Sequence, residues 1–162
     1  MSEAIGGGRS VDSEALIDDF GVHIGGAMGW PRMAGRAAGV LMLSETPMTM
    51  PQLQEALDAS KGSVSETTRL LVATGTVERL KEKGSRQSVY RWRDDAWVGC
   101  LQHQLEQTTE LLSLAERASR QGGALPAEQR RRLQAMHEYY TFMVERLTTL
   151  LAEYSEGFTG HS

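Results

Sequence analysis

The sequence predicts a mainly α (α+β) chain, with two short helices and a β-hairpin set between longer helices at either end. Three observations predict it. Residues 49–75 read as a capped, proline-started helix, a short turn containing glycine, and a second helix. Residues 76–80 and 88–92 then alternate in polarity on either side of Lys83-Gly84-Ser85, as half-buried strands do. Through most of the remainder, apolar side chains recur at the 3.6-residue period of an amphipathic helix.

The bulk properties are consistent with this class. The 162 residues are 40% apolar and 23% charged, the balance of a folded globular chain whose length suits one core plus helical extensions that pack when paired. No apolar run reaches the roughly 18–20 residues that span a bilayer, and the first residues lack the basic flank and apolar stretch of a signal peptide. The expectation is a cytoplasmic protein without a membrane partner. Cys100 is the single cysteine, so neither an internal disulfide nor a cysteine-rich zinc site can form, which fits a reducing compartment.

Taken in order, residues 1–11 are rich in glycine and read as a flexible tail. Residues 12–46 carry two supporting helices. Leu16, Ile17, Phe20, Ile24 and Met28 form the apolar row of the first, with Asp12 or Ser13 as its cap. After the Gly29-Trp30-Pro31 break, Met33, Ala34, Ala37, Val40, Leu41 and Leu43 trace a more apolar second helix. Residues 47–93 hold the short helices and the hairpin. Thr49 caps the third helix, Pro51 falls in its first turn where a missing N–H costs nothing, and Gln52 is in capping-box register. A turn at Ser60-Lys61-Gly62 leads to a fourth helix opening at Ser63, which turns Val64, Thr68 and Leu71 inward and is stopped by Gly75.

Helix, short turn, helix and hairpin in this order make a winged helix-turn-helix, with the second helix shaped for a major groove and the hairpin for flanking phosphates or a minor groove. Residues 94–162 are expected to form two long helices on either side of a Gly122-Gly123 break. Trp97, Leu101, Leu105, Thr108, Leu111, Leu112 and Ala115 stripe one; Leu133, Met136, Tyr140, Met143, Leu147, Leu150 and Leu151 stripe the other. Stripes this long exceed what a small domain can cover and invite a second copy of the chain.

Charge distribution points to the partner. The net charge is -4, yet Lys61, Arg69, Arg79, Lys81, Lys83, Arg86, Arg91 and Arg93 face only Glu66, Glu78 and Glu82 within residues 60–93. An excess of basic residues in one segment of an acidic chain is the footprint of a polyanion, because neutralising phosphates releases counterions. Arg130-Arg131-Arg132 is read as a solvated helix turn instead. Enzymatic motifs are missing: there is no phosphate-binding glycine loop, nucleophile elbow, metal-binding helix or paired-carboxylate constellation. His23, His103, His137 and His161 show no ligand spacing, so no metal or cofactor is expected.

The run Ala59-Ser60-Lys61-Gly62-Ser63-Val64-Ser65, continuing through Arg69-Leu70-Leu71 to Gly75-Thr76-Val77-Glu78-Arg79-Leu80, resembles the reading helix and first wing strand of MarR-like regulators, most closely the GbsR-type branch and actinobacterial repressors of membrane exporters. The resemblance implies a homodimer built on terminal helices, binding double-stranded DNA. It also implies a repressor released by a small amphipathic or aromatic effector, controlling an efflux or a lipid or osmolyte transport gene. The residues expected to touch DNA are Lys61, Ser63, Ser65, Thr67 and Arg69, the last four placed on the face opposite Val64 and Leu71, together with Lys81, Lys83 and Arg86 of the wing. Phe20, Ile24, Met28, Trp30, Met33, Trp97 and Leu101 are the candidates to line an effector cavity. The competing reading is a protein-interaction module that keeps the winged shape without touching DNA, and the acidic net charge is its support.

Overall fold

The computed structural model describes residues 11–159, with side chains from Ser13 onward, so the expected tail falls outside the described residues but for Val11. The elements are α1 (Val11–Met28), α2 (Arg32–Met42), β1 (Met48–Thr49), α3 (Met50–Leu57), α4 (Lys61–Ala73), β2 (Val77–Lys81), β3 (Ser88–Trp92), α5 (Ala96–Gln121), a single 3₁₀ turn (Gly122–Ala124) and α6 (Ala127–Thr159). The mainly α winged helix-turn-helix is what the sequence predicted. The chain divides into two compact units, Met1–Asp94 and Asp95–Ser162.

The first unit has one core. Ile17 of α1, Ala34, Ala37, Ala38, Val40 and Leu41 of α2, Leu53 and Leu57 of α3, Val64 and Leu71 of α4, and Val77 and Tyr90 of the wing are all buried in it. α1 contributes differently from its predicted row: Leu16 and Met28 are exposed, and the buried positions include Gly21 and Gly25. The reason is that α1 meets α2 through glycines, whose missing side chains let the two backbones approach. Arg36 of α2 is tied to Asp18 of α1 at 3.0 Å.

The start of α3 is the feature most fully determined locally. Thr49 N–H donates to Gln52 Oε1 at 2.8 Å, and Gln52 N–H returns a bond to Thr49 Oγ1 at 3.3 Å. Thr49 and Met48 also form a short strand that the sequence reading did not include, pairing with Val89 and Tyr90 of β3 in a three-stranded antiparallel sheet of order β1-β3-β2. Two residues are too few for a visible period. Because Thr49 both caps α3 and anchors β1, Thr49→Ala is expected to cost about 1 kcal/mol, read as a lower urea midpoint with an unchanged slope; no change in the midpoint would mean that the cap is redundant.

The second unit is a hairpin of α5 and α6. Thr108, Ala115 and Leu147 are buried, and Leu101, Leu105, Leu112, Leu133, Met136, Tyr140, Met143 and Leu151 are half-buried, so most of the predicted stripes are realised. Trp97, Leu111 and Leu150 are not; they stand exposed. Tyr139, Phe142, Tyr154 and Phe158 join Leu150 as large apolar side chains open to solvent along α6, at successive spacings of three, eight, four and four residues. No described helix is long and apolar enough to cross a membrane.

Candidate nucleic-acid interface

The turn between α3 and α4 is built differently from its sequence reading. Ser60 caps α4, accepting from Ser63 N–H at 3.2 Å, so Lys61 and Gly62 belong to the first turn of the helix and not to the turn before it. The reversal falls on Asp58, at φ 49 and ψ 52, a left-handed conformation that short polar side chains tolerate better than most. Ala59 N–H closes the turn on Gln54 O at 3.1 Å. The glycine that drew attention is not the hinge, and a Cβ on Gly62 would meet nothing within 4 Å.

The period of α4 decides which side chains it presents. Ser63, Ser65, Thr67 and Arg69 do not share a face: successive members are two residues apart, about 200° around a helix. Thr67 is 7% exposed and packs inward with Val64, Thr68 and Leu71. Ser63 and Ser65 are half-buried, and Arg69 is open to solvent. The outward face is formed by Lys61, Gly62, Glu66, Arg69, Val72 and Ala73. Thr67 therefore leaves the outward set, and Glu66 joins it.

The end of α4 fixes the helix against the wing. Gly75 sits at φ 77 as the predicted terminator, while Thr74 and Thr76 each donate a hydroxyl to Leu71 O at 3.1 Å. The chain enters β2 directly. Val77 pairs with Trp92, Arg79 with Tyr90 and Lys81 with Ser88, leaving a loop from residue 82 to residue 87. Gly84 turns that loop at φ 80, and Ser85 N–H bonds Glu82 O at 3.1 Å. Lys81, Lys83 and Arg86 are all exposed at this end. Further down, Arg91 Nε donates to Glu78 at 2.8 Å across the strands, and that carboxylate raises the guanidinium's pKa above its ordinary value. Of the two cross-strand basic residues, Arg91 is thus occupied by an acid.

Arg79 is not so paired. Its Nε donates to Ser88 Oγ at 2.8 Å, and with Arg69 it lines a cleft of about 200 Å³ between α4 and the wing, completed by Ser65, Thr68, Val72 and Tyr90. The sequence reading counted Arg79 among the basic residues but did not name it as a contact. Its signal is its register: it stands two residues after the inward-facing Val77 on the same strand, which puts both on the α4 side of the sheet.

The proposed effector-lining residues are divided between the units. Phe20 and Ile24 are half-buried in α1, Trp30 and Met33 pack against the core, and Met28 is exposed. Trp97 and Leu101 belong to α5. Cavities on the first unit are lined by other residues: one of about 490 Å³ by Glu14, Ser44, Thr46, Met48, Gln52, Glu55 and Ala56, and one of about 250 Å³ by Ser13, Ile17, Val40, Leu43, Ser44 and Met48. Cys100 is half-buried, and burial pushes its thiol pKa up, away from the thiolate form that oxidants attack.

Comparison with known proteins agrees with the winged-helix fold. Residues 95–157 match the family described as MmpR5-like MarR family transcriptional regulators. The chain is 30% identical over 148 residues to the HTH-type transcriptional regulator MmpR5 of Mycobacterium tuberculosis, covering 89% of this chain and 90% of that one. It is 33% identical over 67 residues to the HTH-type transcriptional repressor OpcR of Bacillus subtilis, across 41% of this chain and 36% of the relative. A crystal structure described as that of a transcriptional regulator superimposes with a TM-score of 0.82 at 28% identity, over 90% of this chain and 99% of that one.

Proposed function

Because the chain belongs to the MmpR5-like MarR family of DNA-binding transcriptional regulators, we propose that it acts as a homodimeric repressor that leaves its operator when a small amphipathic or aromatic effector binds. One observation carries the DNA-reading part: Lys61, Glu66 and Arg69 stand exposed on α4 within the same compact unit as Lys81, Lys83 and Arg86 of the wing. In this reading α4 enters a major groove. Arg69 bonds a base edge or phosphate, Ser63 and Ser65 serve the flanking backbone, and Glu66 accepts from a cytosine amine. The wing bases rest on neighbouring phosphates, and Arg79 supports Arg69 from across their shared cleft.

Dimerisation is supported by the exposed apolar row Tyr139, Phe142, Leu150, Tyr154 and Phe158, more than a soluble helix leaves uncovered at random. Two copies would then set their reading helices in half-sites about one helical turn apart. The adjoining cavities that share Ser44 and Met48 are where an effector would bear on β1 and the start of α3, the parts that position α4.

Binding to the DNA upstream of its own gene tests the reading. Arg69→Ala is expected to weaken binding by about 1–3 kcal/mol, and Arg86→Ala to lower the slope of log K against log salt by about 0.9. Thr67→Val, a change at a buried position, leaves binding as it was. Unchanged binding in Arg69→Ala, with the protein still folded, removes the assignment and favours the interaction-module reading.

A further inference from the structure

Five of the six arginines of the second unit gather at one end. Arg117 and Arg120 lie in the last turns of α5, and Arg130, Arg131 and Arg132 in the first turns of α6; residues 122–126 join the two helices. Those helix ends are in contact, since a Cβ on Gly122 would come within 2.8 Å of Leu133 Cδ1. All five arginines are exposed. Only Glu116 and Glu128 accompany them, giving residues 116–132 a net charge of +3, whereas the rest of the unit, with seven acids against Arg146, carries -6. Glu128 is bonded to Arg131 and lies 3.6 Å from Arg132. Arg117, Arg120 and Arg130 have no ion pair among the described residues.

Helix stability accounts for part of this placement: the C-terminal end of α5 favours Arg120, and Glu128 in the first turn of α6 pairs with Arg131 and Arg132. It does not account for Arg130, which lies just past that first turn with no ion pair of its own. The patch is also entirely arginine, whose planar fork fits two phosphate oxygens at once. Arg117 is 21 residues along α5 from Ala96, about 30 Å at the rise of an α-helix. The patch therefore lies at the end of α5 opposite Ala96.

We propose that the turn between α5 and α6 is a second polyanion site, which takes the phosphate backbone of a DNA segment other than the one read by α4 and the wing. The site rests on the DNA-binding reading above, because duplex DNA is the polyanion brought to the protein by that function. Contact is to backbone and carries no sequence preference. Its consequence is bridging, in which one regulator bound at its operator holds a second duplex.

The test uses the full-length protein and the triple variant Arg117→Gln/Arg120→Gln/Arg130→Gln. Each is bound to saturation on an immobilised operator fragment, and capture of a labelled non-operator duplex is followed from 50 to 200 mM salt. The wild type captures the second duplex. The variant holds the operator as before but captures at least tenfold less, with a salt slope lower by about 2–3 at roughly 0.9 per contact. Equal capture by the variant overturns the proposal, as does binding of phosphatidylserine vesicles with no capture of duplex. A wild type that holds its operator but no second duplex defeats the proposal alone; one that holds no operator defeats the DNA-binding reading and the proposal with it.

Discussion

Leu71→Ala is expected to destabilise the first unit by about 2–5 kcal/mol, the range for emptying a fully buried leucine site. Leu71 has no exposed surface, and it belongs to the core that joins α4 to α1, α2, α3 and the wing. Its carbonyl is also the acceptor for the Thr74 and Thr76 hydroxyls and for Thr76 N–H at 3.2 Å. The cavity would thus open where the reading helix passes into β2. Against a total stability of about 5–15 kcal/mol this is a large fraction. Urea unfolding followed by far-ultraviolet circular dichroism measures it, and a loss below 1 kcal/mol would mean the site collapses around the smaller side chain. DNA affinity at 37 °C should fall with the folded fraction and be regained on cooling to the temperature of maximum stability.

For Gly35→Ala the sign of the effect is the informative part. In an exposed helix interior this change stabilises by about 1 kcal/mol, because alanine restricts the unfolded chain and glycine does not. At position 35 the new methyl would lie 2.6 Å from Phe20 O, 2.9 Å from Gly21 Cα and 3.0 Å from Gly25 N. All three are backbone atoms of α1, which cannot turn aside as a side chain can. α1 has to move away from α2, breaking the Asp18–Arg36 pair, and a net loss of about 1–3 kcal/mol is expected. Gly39 provides the control: a Cβ there meets the Phe20 side chain first, which has rotamers to offer, so Gly39→Ala costs less. If Gly35→Ala proves stabilising, the close crossing of α1 and α2 is wrong.

Both substitutions act on features that sequence reading reached only in part. The inward row of α4 was legible because Val64, Thr68 and Leu71 recur at i, i+4 and i+7, a spacing with one structural meaning. The outward face was not, because Ser63, Ser65, Thr67 and Arg69 were grouped by chemistry at a spacing of two, and a helix sends such a set to opposite sides. The burial of Thr67 follows from that period. In α1 the apolar period points to Ile17, which is buried, but also to Leu16 and Met28, which are not; Gly21 and Gly25 complete the contact row. A glycine has no hydropathy signal, and its role appears only when another backbone lies against it. The basic turn of the second unit was hidden for a different reason. Arg130-Arg131-Arg132 alone reads as a solvated turn, and Arg117 and Arg120 join it only once α5 and α6 are folded back on each other.

What the sequence determined alone was whatever is settled over a few residues: the Thr49–Gln52 capping box, the Gly75 stop, the alternation of the wing strands, the periods of the long helices, and hence the class of fold. Tertiary structure decided what depends on residues distant in the chain: the pairing of Met48 and Thr49 with β3, the glycine crossing of α1 and α2, the meeting of Arg69 and Arg79 in one cleft, and the use of Asp58 rather than Gly62 as the reversal. Hydrogen bonds between near neighbours have few alternative partners and leave a mark in the order of residues. Packing is chosen among many partners at once, and only the folded chain records the choice.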